Sequence, residues 1–228
     1  MVRYMPGSFL PNIMHVADPG LAAGHRESHL DISATEQLSK EHAMSERLLL
    51  TMEKALVNAN SDRNADIRPI NNAAIMIHNI IAGHHMTFEE QYVYPKMSDR
   101  PETGDLVYKL KGQHDELREL VGRIIDITGT RKVEKKEQLD EINIRCTTCA
   151  LIMRMHMSWE ETILFTEFYD VIPEEYADEI HFQMVKELQG FSEDNIVRKW
   201  LEDISTIERE AGIKGVTDFT FDRAMLIK

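Results

Sequence analysis

From residue 33 onward, apolar residues recur every three or four positions, the spacing of helices that bury one face. Leu38, His42, Leu49, Met52 and Leu56 form the first such stripe and predict a helix over 34–58. Ser33 with Glu36 three residues on fits a capping box at its start. A second helix is predicted over 70–94, with Ile75, His78, Ala82, His85, Phe88, Glu89 and Tyr92 inward and Pro69 in its opening turn. A third, over 105–128, carries Val107, Leu110, His114, Leu117 and Val121. The fourth, over 134–171, places Cys149, Ile152, His156, Trp159, Glu160 and Ile163 on one face. Pro95 and Pro101 bracket the loop before the third helix, and Pro173 ends the fourth. Helices over 174–189 and 192–211 follow, separated by Gly190. Nothing alternates at the period of a strand. The expected class is all-α: an up-down-up-down antiparallel four-helix bundle over 33–172, an irregular N-terminal extension over 1–32, and a C-terminal helical extension over 173–228.

Two of these helices repeat each other. Residues 85–90 read HMTFEE and residues 156–161 read HMSWEE, an offset of 71. An offset of 72 carries His42 onto His114. The bundle therefore reads as two copies of one helical hairpin.

Composition changes this picture little. The chain has 228 residues, 43% of them hydrophobic, enough for a buried core. Only 11 Gly and 7 Pro occur, which fits long helices. With 39 acidic against 26 basic residues the formal charge is −13, which argues against nucleic acid or an anionic membrane as partner. No apolar run reaches the length of a membrane-crossing helix. The first twenty residues, broken by Pro6, Pro11 and Asp18, do not read as a secretory signal, and two cysteines make no disulfide framework, so a cytoplasmic location is expected.

The candidate chemistry lies on the inward stripes. Positions i and i+4 of a helix neighbour each other, so His85 with Glu89, and His156 with Glu160, can each offer an imidazole and a carboxylate to one point. His42 and His114 project from the other two helices. One His-x-x-x-Glu alone is an ordinary hydrogen-bonded pair; two, in matching sequence and joined by two more inward histidines, point to a two-metal site. Two buried carboxylates cost several kcal/mol each unless cations compensate them. Mixed nitrogen and oxygen donors without thiolate suit iron, manganese or zinc, and Glu89 and Glu160 could each bridge two ions.

The segments LSKEHAMSERLL, IAGHHMTFEEQYVYP, LKGQHDELREL and RMHMSWEETILF resemble the hemerythrin-like (HHE cation-binding) family over about residues 34–172. That resemblance implies a non-heme di-iron centre, oxo- or hydroxo-bridged, with iron favoured over manganese or zinc, meeting O2, peroxide or nitric oxide. Hemerythrins that carry O2 resemble His-x-x-x-His in the third helix and His-x-x-x-x-Asp in the fourth. Here Arg118 sits four residues after His114, and His156 is followed by Glu160, with Glu161 at the longer spacing. The pattern His…His-x-x-x-Glu…His…His-x-x-x-Glu looks more like the branch of peroxide-decomposing, iron-sensing and iron–sulfur repair proteins. This favours redox turnover over reversible O2 carriage. The alternative is a module that senses, stores or binds iron or O2 without turnover.

Other residues carry weaker expectations. Glu46, four after His42, reads as an outer acceptor or a partner of Arg118 rather than a ligand, and His78 as a core or outer histidine. His84 and Glu90 flank the inner line. His15, His25, His29 and His181 read as surface residues, and Cys146 and Cys149 as buried structural thiols rather than a redox pair. Tyr92, Tyr94 and Trp159, near the site, could be oxidised or donate hydrogen bonds, though such rings are more often core. The C-terminal helices read as a packing cap over the bundle end.

Overall fold

Helix α1 (Ala34–Ser61) opens as its sequence implies. Ser33 Oγ accepts from the Glu36 amide at 3.3 Å, and the Glu36 carboxylate accepts from the Ser33 amide at 2.8 Å. The computed structural model describes residues 33–190 and 196–215, and among these it contains six helices and no strand. Helix α2 runs from Arg68 to Met97, but two stretches of it, Ile77–His85 and Glu89–Val93, are wound as π-helix. Helix α3 is Gly104–Thr128. Helix α4 runs from Lys136 to Val171 with a π stretch at Glu160–Leu164. Helices α5 (Glu174–Gly190) and α6 (Ile196–Glu210) complete the described chain. The expected irregular segment over 1–32, with His15, His25 and His29, lies outside the described residues, as do 191–195 at the expected start of the last helix.

Side-chain bonds fix the antiparallel order. Asn60 near the end of α1 meets Asn143 near the start of α4, and His42 meets Glu161 farther along. Asn71 at the start of α2 bonds to Ile125 and Thr128 at the end of α3, while Tyr94 meets His114. Two apolar clusters fill the interior. One is built from residues such as Leu48, Met52, Ile77, Leu117 and Met153, the other from Leu38, Phe88, Val93, Leu110 and Leu164. Between them, at one level, lie the buried polar residues Glu41, His42, His84, His85, Glu89, His114, His156 and Glu160.

The π turns correct the predicted inner stripe of α2. Ile75 is 38% exposed and His78 is exposed, so neither faces the core. The buried line instead steps by four, through Ile77, Ile81, His85, Glu89 and Val93. In a regular α-helix each step of four overshoots a turn by about 40°, so this line would swing about 160° around the helix. The wider π turns absorb the overshoot and hold the line on one face. In α4 the same device puts Glu160 and Leu164 inward and leaves Trp159 45% exposed. Pro95 does not end α2 but sits in its last turn, which continues to Met97. The widened turn just before it relieves the clash between its ring and the carbonyl one turn back.

Helices α5 and α6 lie along the α1–α2 side of the bundle rather than over its end. Arg47 of α1 bonds to Ser205 and Glu208, Asn58 to the Ala211 carbonyl, and Asn72 of α2 to Glu210. The reason is legible in α1, which is buried on two faces: Leu38, His42, Leu49 and Met52 on one, Met44, Leu48, Thr51 and Ala55 on the other. A surface helix carries one apolar stripe, so the second needs its own cover. Ile204 and Ile207 join the first apolar cluster, and Ile180 and Met184 the second. Because Ile204 is fully buried, Ile204→Ala is expected to lower stability by about 2–5 kcal/mol. A urea midpoint equal to that of the wild type would show that α6 is not part of the cooperative unit.

Candidate metal centre

The six predicted residues converge. His42, His85, Glu89, His114, His156 and Glu160 are all 6% exposed or less. They form two groups, His42–His85–Glu89–Glu160 and Glu89–His114–His156–Glu160, in each of which the donor atoms lie within 4.8 Å of one another. Both carboxylates belong to both groups. The Nε2 atoms of His42 and His85 are 3.1 Å apart, and those of His114 and His156 are 3.0 Å apart. Two nitrogens each about 2.1 Å from one ion, at right angles, would be about 3 Å apart. Glu89 directs Oε1 to His85 Nε2 and Oε2 to His114 Nε2, each at 3.4 Å. Glu160 directs Oε2 to both His42 and His156, at 3.2 and 3.1 Å, because its Oε1 accepts from the Tyr94 hydroxyl at 2.6 Å.

Each imidazole is held from behind. His42 Nδ1 meets Glu161 at 2.7 Å, His85 Nδ1 meets Glu41 at 2.9 Å, His114 Nδ1 meets Glu90 at 2.7 Å, and His156 Nδ1 meets the Gln113 amide oxygen at 3.2 Å. Three of these partners are carboxylates, which only accept, and the fourth is an amide oxygen, so in the neutral imidazoles the proton sits on Nδ1 and the Nε2 lone pair points inward. Four such lone pairs therefore face two carboxylates. Both oxygens of Glu89 and Oε2 of Glu160 are buried without an oriented hydrogen-bond donor. This arrangement fits a cation shared between the donors and little else, since lone pairs facing one another at 3 Å repel.

The titration directions say the same. Burial alone would push the acids up and the imidazoles down. For Glu41 burial is outweighed by the hydrogen bonds from His84 and His85, which bring it down to about 2. Glu160 is likewise buried yet held well below the usual carboxylate range by His156 and His42. Glu89 is lowered by His85 and His114 against both burial and the charge of Glu160. His42 and His85 are raised against their own burial, the first by Glu160 and Glu161, the second by Glu89 and Glu41. Without metal, protons are the cations that compensate the acids. The Tyr94 phenol is pushed up by burial and by the acids around it, so it keeps its proton and donates to Glu160.

Several expectations are corrected here. Glu46 does not reach the site or Arg118; its carboxylate is held by Arg154, which also bonds Glu53. Arg118 instead bonds Glu90 at 2.9 Å. Glu90, read as flanking, is the acceptor for His114. His84 is buried against Trp200, with its ring 3.6 Å from Glu41, while His181 is half-buried. Glu41 and Gln113 went unread, although each immediately precedes a repeated histidine, and that shared position was the available signal. Cys146 and Cys149 are buried free thiols, both pushed up to about 12 by burial. Tyr92 is half-buried against Phe88, whereas the Tyr94 hydroxyl stands inside the site.

A helical bundle with His/Glu donor groups spanning all four helices defines a cation-binding four-helix protein. The chain belongs to the hemerythrin HHE cation-binding domain family, whose model matches residues 33–168. It is also similar to uncharacterized protein Rv1995 of Mycobacterium tuberculosis (strain ATCC 25618 / H37Rv) and to uncharacterized protein Mb2018 of Mycobacterium bovis. Each is 25% identical over 195 residues, covering 85% of this chain and 76% of the relative. No helix among the described residues is long and apolar enough to cross a membrane.

The pH dependence of the metal-free protein follows. The raised imidazoles contribute stability that is present below their ordinary 6.5 and lost as pH rises through the raised values. The depressed acids contribute stability that is present above 4.5 and lost as pH falls, for Glu41 toward about 2. The thermal midpoint of metal-stripped protein is therefore expected to peak between 4.5 and 6.5 and to decline at higher pH. Metal loading should abolish the alkaline decline; a stripped protein with a flat profile would contradict this account of the site.

Proposed function

We propose that the chain is a non-heme di-iron protein, with His42, His85, His114 and His156 as terminal ligands and Glu89 and Glu160 bridging, that reacts with a small oxidant such as O2, peroxide or nitric oxide. The observation that carries this reading is the pair of buried donor groups sharing both carboxylates, with every imidazole anchored through Nδ1. Bound iron would supply one-electron redox chemistry to such an oxidant. The chain's own residues do the rest. Glu41, Glu90, Glu161 and Gln113 orient the imidazoles, so little rearrangement accompanies metal uptake. The apolar clusters on either side keep the donors in a weakly screening interior. Burial of all six donors limits reactants to species of a few atoms. The Tyr94 hydroxyl oxygen lies 2.6 Å from Glu160 Oε1, to which it donates, and 3.1 Å from His114 Nε2, so it holds a proton at the edge of the donor set. This proposal includes a cytoplasmic location, which the two free buried thiols suit.

One contact chain favours a second reading, a sensor of iron or O2. His85 donates to Glu41, which faces His84, and the His84 ring lies 3.8 Å from Glu187 of α5 and packs on Trp200 of α6. Occupancy at His85 thus has a physical route to the C-terminal helices.

Elemental analysis of iron-reconstituted protein is expected to give close to two ions per chain, with His85→Ala and His156→Ala each losing metal. Unchanged stoichiometry in both variants would sink the ligand assignment. Steady-state consumption of peroxide or nitric oxide by the loaded protein favours the oxidoreductase; binding without consumption favours the sensor.

A further inference from the structure

The two halves of the site come from one repeat, so the positions where they differ are informative. The offsets of 71 and 72 pair His85 with His156, Glu89 with Glu160, Glu90 with Glu161, His42 with His114 and Tyr94 with Phe165. The inner geometry matches closely. The His42 and His85 rings are 4.7 Å apart and tilted 54°, the His114 and His156 rings 4.6 Å apart and tilted 55°. Phe165 stacks on His42 at 5.7 Å as Tyr94 stacks on His114 at 5.3 Å.

The outer environment does not match. His85 donates to Glu41, a fully buried carboxylate; its counterpart His156 faces Gln113, a neutral amide. His42 donates to Glu161, which is shared with the neutral hydroxyl of Ser39. His114 donates to Glu90, whose charge is offset by Arg118 at 2.9 Å. Two outer negative charges therefore support one pair of imidazoles, and close to none supports the other. An imidazole whose Nδ1–H is bonded to a carboxylate is the better donor at Nε2. The charge of the fully buried Glu41 is poorly screened, whereas Glu161 is 40% exposed and water screens it, so the contrast rests mainly on Glu41 against Gln113. Tyr94 stands at the second position, but its hydroxyl proton is committed to Glu160.

Resting on the binuclear reading above, we propose that the two metal positions are inequivalent. The one held by His42 and His85 fills first and binds a divalent cation more tightly than the one held by His114 and His156.

The test is anaerobic titration of the metal-free full chain with Zn2+ and with Fe2+, followed by calorimetry, with native mass spectrometry counting bound ions. The wild type should bind two ions in steps separated by about tenfold or more. Glu41→Gln, close to isosteric, should weaken the tight step by about 10–100-fold and draw the two together. Gln113→Glu should strengthen the weak step and close the gap from the other side. Two equal steps in the wild type would overturn the inference. So would a tight step that Glu41→Gln leaves unmoved while circular dichroism shows the helices intact. Uptake of fewer than two ions would overturn the binuclear reading as well, whereas two equal ions would overturn this inference alone.

Discussion

Two carboxylates buried between four imidazoles are the constraint around which this protein is built. Each ionised carboxylate in an apolar interior costs several kcal/mol unless a cation compensates it. Glu89 and Glu160 are fully buried, and their inward oxygens meet nitrogen lone pairs rather than donors. A metal resolves that conflict, and so do protons on the histidines when no metal is present. The outer ring of Glu41, Glu90, Glu161 and Gln113 fixes which nitrogen faces inward. The site is thus specified by its supports as much as by its inward donors.

The helix geometry serves the same end. A ligand pair four residues apart, repeated along a buried line, drifts off its face in a regular α-helix. Wide turns at Glu89–Val93 and Glu160–Leu164 begin at the two buried acids, at the repeat offset of 71, so both halves of the repeat carry the correction. Among the described residues only α2 has a further π stretch, Ile77–His85, leading into its histidine. The repeated sequence goes with near-identical geometry in the two imidazole pairs. The halves differ at Glu41 against Gln113 and Tyr94 against Phe165, which leaves the inward donors in place while changing the field around them.

The C-terminal pair gives α1 its unusual burial. By covering the α1–α2 side it seals the face that bears Glu41 and His84, so the carboxylate behind His85 lies in protein rather than water. Its counterpart Gln113, on α3, remains half-buried. Among the described residues the C-terminal helices cover the α1–α2 side, and this cover is itself a source of the asymmetry between the two halves.

The stripes, the capping box at Ser33 and the His-x-x-x-Glu repeats were enough to read four helices and the six converging donors, because period and spacing are local properties of the chain. They placed His85 beside Glu89 and His156 beside Glu160 without tertiary information. The same reasoning misassigned Ile75, His78 and Trp159, since it assumed 3.6 residues per turn where π turns intervene. It read Glu46 as an outer acceptor at the site or a partner of Arg118, when across the bundle Glu46 meets Arg154 and Arg118 meets Glu90. Period and spacing alone lead to an all-helical chain with inward imidazoles and carboxylates. Which groups stand behind each imidazole, and where the last two helices lie, is set by packing across the bundle, because those contacts join residues that no helical period relates.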